Sequence, residues 1–186
     1  MSSGFQFSEP LVAQPTVVAP CDTGQWYAIH TRARHERMVI TRLTHQAITT
    51  YLPVTTEVRQ WSDRRKLVEA PLFSCYAFVK IRCVPEIQAQ VAHTDGVLGF
   101  VGSCGGPVPI PGLEISNIQT LLNGAVSYTP YPFLKIGQRV RVRGGSLDGI
   151  EGFLLARNGN DTLVISVEPI QRSLAVNING YTFEPV

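Results

Sequence analysis

The sequence predicts an α+β unit followed by a small all-β barrel. Between residues 25 and 122, apolar strand patterns are interleaved with three stretches of helical periodicity. From Lys135 onward only strand patterns remain, with Val140 and Val142 alternating with arginines and with Asn158-Gly159 and Asn179-Gly180 as hairpin-turn dipeptides. Between the two, Asn123-Gly124 and Pro130-Tyr131-Pro132 interrupt every regular pattern. The expected organisation is a flexible leader at 1–24 carrying Pro10, Pro15 and Pro20, an α+β domain at 25–122, a linker at 123–133 and a barrel at 134–186.

Within the first domain, residues 26–30 read as a strand, and Thr31 is a candidate cap for a helix over about 34–46. Val39, Ile40, Leu43 and Ala47 then share one face, and Arg34, Arg37 and Arg42 decorate the others. Residues 51–53 form a short strand. Residues 57–61 and 67–70 pair as a hairpin over the tip Ser62-Asp63-Arg64-Arg65-Lys66, too charged to be core. Residues 72–81 predict a continuous strand with Phe73, Cys75, Ala77, Val79 and Ile81 on one face and Leu72, Tyr76 and Phe78 on the other. Apolar character on both faces marks a central strand, or one face kept for a partner. A helix over 85–92, a glycine-punctuated strand over 96–102 and a helix over 113–122, with Ile115, Ile118 and Leu122 at helical spacing, complete the unit. In the barrel, residues 153–156, 162–167, 173–178 and 181–183 supply the remaining short strands.

At 186 residues and 44% hydrophobic content the chain is long and apolar enough for real cores. Net charge is only +2, so partners must be read from local clusters. Residues 25–70 hold eight Arg/Lys against four Asp/Glu, and residues 135–143 hold four basic residues and no acid, a bias toward polyanions. Cys21, Cys75, Cys83 and Cys104 form no C-x-x-C pair and have no histidine at zinc spacing, which fits reduced thiols in a cytoplasmic protein, with Cys75 a small core residue. No apolar run approaches the ~20 residues of a membrane helix, and no secretory leader pattern is present. His30, His35, His45 and His93 are scattered, and no nucleophile–base pair, paired carboxylates or metal-ligand spacing recurs, so neither an enzyme nor a cofactor is expected. Gly144-Gly145-Ser146-Leu147-Asp148-Gly149 lacks the Lys-Ser/Thr of a phosphate loop.

Val142, Gly145, Gly149 and Gly152 form a V-x-x-G-x-x-x-G-x-x-G pattern that resembles a KOW motif, whose glycines permit positive φ and close approach of strands. The first domain adds Trp26-Tyr27-Ala28-Ile29, a basic helix, Phe73-Ser74-Cys75-Tyr76-Ala77-Phe78-Val79, and Asp95-Gly96-Val97-Leu98-Gly99-Phe100-Val101-Gly102 followed by Pro107-Val108-Pro109-Ile110. In that order these motifs resemble a NusG N-terminal (NGN) domain, and residues 25–186 as a whole resemble a NusG-family transcription elongation factor with an SH3-like KOW barrel. Where housekeeping members carry Phe-Pro-Gly-Tyr, this chain has Phe73-Ser74-Cys75-Tyr76. That departure and the short charged hairpin look more like specialised paralogues, such as RfaH or polysaccharide-operon antiterminators.

The resemblance implies docking on the β′ clamp helices of bacterial RNA polymerase through Trp26, Tyr27, Leu72, Phe73, Tyr76, Phe78 and Ile110. A few desolvated aromatics can supply most of such a binding energy, about 2 kcal/mol or more at each hot spot. It implies contact with the non-template DNA strand through Arg32, Arg34, Arg37, Arg42, Trp61, Arg64, Arg65 and Lys66, cations with a stacking aromatic beside them. For the barrel it implies the termination factor Rho or a small-subunit ribosomal protein as partner, met by Arg139, Arg141, Arg143, Phe153 and Ile165. A monomer that suppresses pausing and termination is the expected whole. Some paralogues refold the second domain into a helical hairpin. Here β-branched residues, hairpin turns and interior glycines predict a lasting barrel. A ribosome-associated KOW RNA-binding protein and a protein adaptor without nucleic-acid contact are the competing classes.

Overall fold

A computed structural model of the chain describes residues 24–60, 65–103, 106–124, 126–131, 133, 137–157 and 160–186, with backbone alone at 57–60, 65–67, 103, 156, 157 and 160. The first unit comprises β1 (Gln25–Thr31), α1 (Glu36–His45), β2 (Thr49–Tyr51), β3 (Val54–Gln60), β4 (Arg65–Pro71), β5 (Tyr76–Ile81), α2 (Pro85–Ala92), β6 (Val97–Phe100), β7 (Gly102–Ser103), β8 (Gly106–Pro107), β9 (Pro109–Ile110) and α3 (Gly112–Asn123). Its antiparallel sheet runs β2-β5-β1-β6, with β9 also on β1, and β3–β4 is a separate hairpin. The second unit is a six-stranded antiparallel sheet in the order β10 (Tyr128–Tyr131), β14 (Arg172–Asn177), β13 (Asn160–Val167), β12 (Glu151–Arg157), β11 (Gln138–Arg143), β15 (Thr182–Pro185). This is an α+β unit followed by a small all-strand unit, the two-part architecture the sequence predicts.

The period of two along β5 and β1 divides the first sheet between two cores. Tyr27, Ile29, Ala77, Val79 and Ile81 pack with Val39 and Leu43 of α1 and Val91 of α2. Ala28, Phe78 and Ile110 pack on the other side, in a cluster with Phe73, with Ile115, Ile118 and Leu121 of α3, and with the barrel residues Val140, Val142, Leu147, Ile150 and Ile165. One apolar core therefore runs from the first sheet through α3 into the barrel.

Several local expectations differ from the structure. Residues 72–75 do not continue the strand. Cys75 has φ 68°, and the Tyr76 N–H donates to the Phe73 carbonyl at 3.2 Å across a tight turn. That turn moves Phe73 to the Phe78 side, where the rings meet edge-on at 6.2 Å, and leaves Cys75 half-buried in the turn and outside the core. Thr31 does not cap a helix. It is the buried last residue of β1, and α1 starts behind His35 with no side-chain cap. Ala47 lies past the end of α1 at φ 59°, where the Ile48 N–H reaches back to the Leu43 carbonyl and the Ala47 N–H to that of Thr44, a Schellman closure. The stretch read as a linker contains β10, which pairs with β14 from Tyr128↔Val176 to Tyr131↔Ser173. Residues 125 and 132 of that stretch lie outside the described residues.

Candidate polymerase and nucleic-acid interface

One face of the first sheet carries a row of rings. Trp26 meets Tyr51 edge-on at 6.3 Å, Tyr51 stacks on Phe78 at 6.2 Å, and Phe78 meets Phe73. His30 and Tyr76, paired across β1 and β5, add a ring contact of 5.3 Å at the strand ends. Phe73, Phe78 and Ile110 are buried, whereas Trp26, Tyr51, Leu72 and Tyr76 form the half-buried rim of the row. Tyr51, absent from the expected residues, is brought in by its register opposite Phe78. Its position one strand away is what hid it, because the chain segments at 51 and 78 become neighbours only when β2 joins β5. Burial, with Tyr128 nearby, pushes the Tyr51 hydroxyl up to about 12, so it stays a neutral donor.

Tyr27 does not belong to this row. It is 2% exposed on the opposite side of the sheet, against α1 and α2, with Phe100 edge-on at 6.2 Å. The strand alternation separates it from Trp26. Burial first, and then Cys83, raise its hydroxyl to about 12.

The four arginines around α1 are only partly free. Arg42 bonds both the carbonyl and the carboxylate of Asp95 at 2.7 Å, and Arg32 lies 3.7 Å from the same carboxylate. Arg37 bonds Glu69 of the hairpin at 2.8 Å. Arg34, expected on the helix, lies in the turn before α1, where it is exposed and has φ 65°. The hydrogen bond and charge of Arg42 hold the Asp95 carboxyl below its usual range. Trp61 and Arg64 lie outside the described residues. Arg65 and Lys66 are described by backbone alone, opposite Gln60 and Arg59 in the hairpin register.

On the barrel, Arg139, Arg141 and Arg143 alternate with the buried Val140 and Val142, as the sequence pattern requires. Each meets an acid. Glu151, with its side chain 6% exposed, takes Arg139 at 3.0 Å and a two-nitrogen contact from Arg141, and Glu184 takes Arg143. The Arg143 contact in turn lowers Glu184 below its ordinary value. Phe153 is half-buried. Ile165, expected at the surface, is 2% exposed because β13 faces it into the core.

The KOW-type glycines have separate local reasons. Gly145 and Gly149 hold φ 68° and 81°, and a Cβ on Gly152 would sit 2.5 Å from the Val164 carbonyl of the adjacent strand.

Among the described residues no three His, Cys, Asp or Glu come together to hold a metal, and no helix is long and apolar enough to cross a membrane.

Residues 24–119, more than half of the chain, match the family model described as Transcription termination factor nusG. The Transcription termination/antitermination protein NusG of Staphylococcus aureus is 29% identical over 133 residues, which span 65% of this chain and 72% of the relative. Among solved structures, one described as domain interaction in Thermotoga maritima NusG covers 82% of this chain and 92% of its own at 20% identity and a TM-score of 0.45. Conformation A of the MjSpt4:Spt5 complex covers 86% and 98% at 14% identity and a TM-score of 0.27.

Proposed function

The chain belongs to the NusG family of transcription termination and antitermination factors, and from that premise we propose that it acts in the cytoplasm as an elongation regulator that docks on RNA polymerase and suppresses pausing and termination. The observation that carries this reading is the row of rings on one sheet face, with Trp26, Leu72 and Tyr76 at its half-buried rim and Phe73, Phe78 and Ile110 beneath. An amphipathic rim over an apolar floor suits the desolvated end of a helical coiled coil, here the β′ clamp helices. The barrel abuts the same strip. Leu72, Phe73 and Ser74 share a cleft with Tyr131, Arg172 and Leu174. Full engagement of Phe73 therefore competes with the barrel, while the rim makes first contact.

The non-template strand is met by Arg34 and the hairpin cations Arg64, Arg65 and Lys66, with Trp61 as stacking ring. Arg32, Arg37 and Arg42 contribute less, because Asp95 and Glu69 share their charge. The barrel recruits Rho or a small-subunit ribosomal protein through Phe153, flanked by the Arg139, Arg141 and Arg143 row in its neutralised, ion-paired form. The reading as a ribosome-associated RNA-binding protein is the weaker one, because Glu151 and Glu184 already occupy Arg139, Arg141 and Arg143. The Ser74-Cys75 departure favours a specialised, operon-directed antiterminator acting as a monomer.

The test is transcription by purified bacterial polymerase across a pause site and a terminator. Added protein should shorten the pause and raise read-through, and Tyr76→Ala should lose both effects. Read-through that is unchanged, or lowered with longer pauses, would sink the antitermination reading.

A further inference from the structure

The joint between α3 and the barrel combines one contact that cannot titrate with one that can. Asn117 is buried, and its amide pairs with the main chain of Glu151 as a strand neighbour would. Nδ2 donates to the Glu151 carbonyl at 2.9 Å, and Oδ1 accepts from the Glu151 N–H at 3.4 Å. One helical turn earlier, on the same face of α3, the Glu114 carboxylate accepts the Glu168 N–H at 3.2 Å. Glu114, Asn117, Arg139, Glu151, Phe153 and Glu168 line a cleft of about 350 Å³ at this joint.

The charges facing Glu114 come from three places. Glu168, just after β13, presents a like charge across the joint. Arg139 of β11 is the facing cation, but it is bonded to Glu151 of β12, which also holds Arg141. Burial, chiefly, and then the Glu168 charge raise the Glu114 carboxyl above its ordinary value, against the Glu168 N–H and Arg139, which lower it. A protonated carboxyl keeps a carbonyl oxygen for the Glu168 N–H and loses the charge that is costly there.

We propose that the α3–barrel joint is a proton-sensitive catch, in which Asn117 sets the register and proton uptake at Glu114 favours closure. The sign follows from linkage. The closed form holds the Glu114 proton more tightly than the open form, so the Glu114 contribution to closure is complete below the ordinary glutamate value of 4.5 and is lost as pH rises through the raised closed-state value. Each unit separating the two states changes the closed-to-open ratio up to about tenfold. The catch lies within the joint and operates whether or not polymerase is the partner.

A fluorophore pair placed on the full chain, one on an exposed position of α1 and one on the barrel, reads closure by energy transfer between about pH 5 and about pH 8. In the parent chain, transfer should fall as pH rises. Glu114→Gln, neutral but still an acceptor for the Glu168 N–H, should stay closed with a flat profile. Asn117→Ala should lower transfer at every pH and keep the slope. A slope retained in Glu114→Gln, or a flat profile in the parent chain, would overturn the proposal, as would an upward slope. Circular dichroism at each pH separates opening from unfolding.

Discussion

At Cys75 the backbone adopts φ 68°, a region a Cβ disfavours, and the turn is held by three hydrogen bonds. The Cys75 N–H donates to the Glu36 carboxylate at 2.8 Å, the Thr31 N–H donates to the Cys75 carbonyl at 2.8 Å, and Tyr76 closes on Phe73. Glu36 is thereby a buried acid with a partner, at the end of α1 where the helix favours negative charge. Cys75→Gly should relieve the strain and stabilise the chain by about 1 kcal/mol, read as a raised unfolding midpoint in urea. An unchanged or lower midpoint would mean that the side chain contributes packing that matches or exceeds the strain. The opposite logic holds at Gly152. Its missing Cβ lets β12 approach β13 to a distance where alanine would meet the Val164 carbonyl at 2.5 Å. Gly152→Ala should destabilise by about 1–3 kcal/mol, since backbone on both sides must move. An unchanged midpoint would show that the strands separate freely.

At the scale of elements, α1 is tied to the rest by arginines whose charges are not all spare. Asp95 accepts Arg42 and faces Arg32, and the lowered Asp95 pKa means that this tether is present above the ordinary aspartate value of 3.8 and is lost as pH falls through the lower folded value. Asp95→Asn should remove the charge shared by both arginines, while Arg42 keeps its bond to the main-chain carbonyl at 95, and strengthen salt-sensitive binding of single-stranded DNA several-fold, roughly the effect of one added phosphate contact. Titrating salt in a fluorescence-anisotropy assay checks this, and equal affinity and slope in the two proteins would remove Arg32 and Arg42 from the DNA face. The sequence showed the elements well where period and punctuation agree. Helix 85–92, with Pro85 at its first turn, and the pairing of the hairpin strands were both legible, although Arg65 and Lys66, expected in the tip, belong to β4. It misled where one backbone angle changes the phase. Nothing in the side-chain pattern of residues 72–81 marks Cys75 as the break, and a cysteine, unlike a glycine, does not announce a positive φ. The arginine row was legible as alternation, but its partners Glu151 and Glu184 lie 10 and 41 residues away and meet it only through strand pairing.

For the molecule as a whole, α3 turns two units into one continuous apolar core. The expected linker hid this, because β10 is short, interrupted by Pro130, and recognisable only beside β14. Of the residues expected to contact polymerase, Trp26, Leu72, Phe73, Tyr76, Phe78 and Ile110 lie on one side of the sheet, and Phe73 is there only because the Cys75 turn carries it across. Tyr27 falls on the other face because adjacent strand residues point oppositely. Ile165 joins the core for the same reason, being in phase with the buried Leu163 and Val167 of β13. The proposed binding to RNA polymerase rests on membership of the NusG family and on this assembled face. The most direct measurement is the affinity of the full chain for purified bacterial RNA polymerase, with Leu72→Ala and Tyr76→Ala as rim variants and Tyr27→Phe, on the far face, as control. Saturable binding, weakened at least about tenfold by each rim variant and unchanged in Tyr27→Phe, is the predicted result. No binding by the folded parent chain, or equal binding by all four proteins, would contradict it.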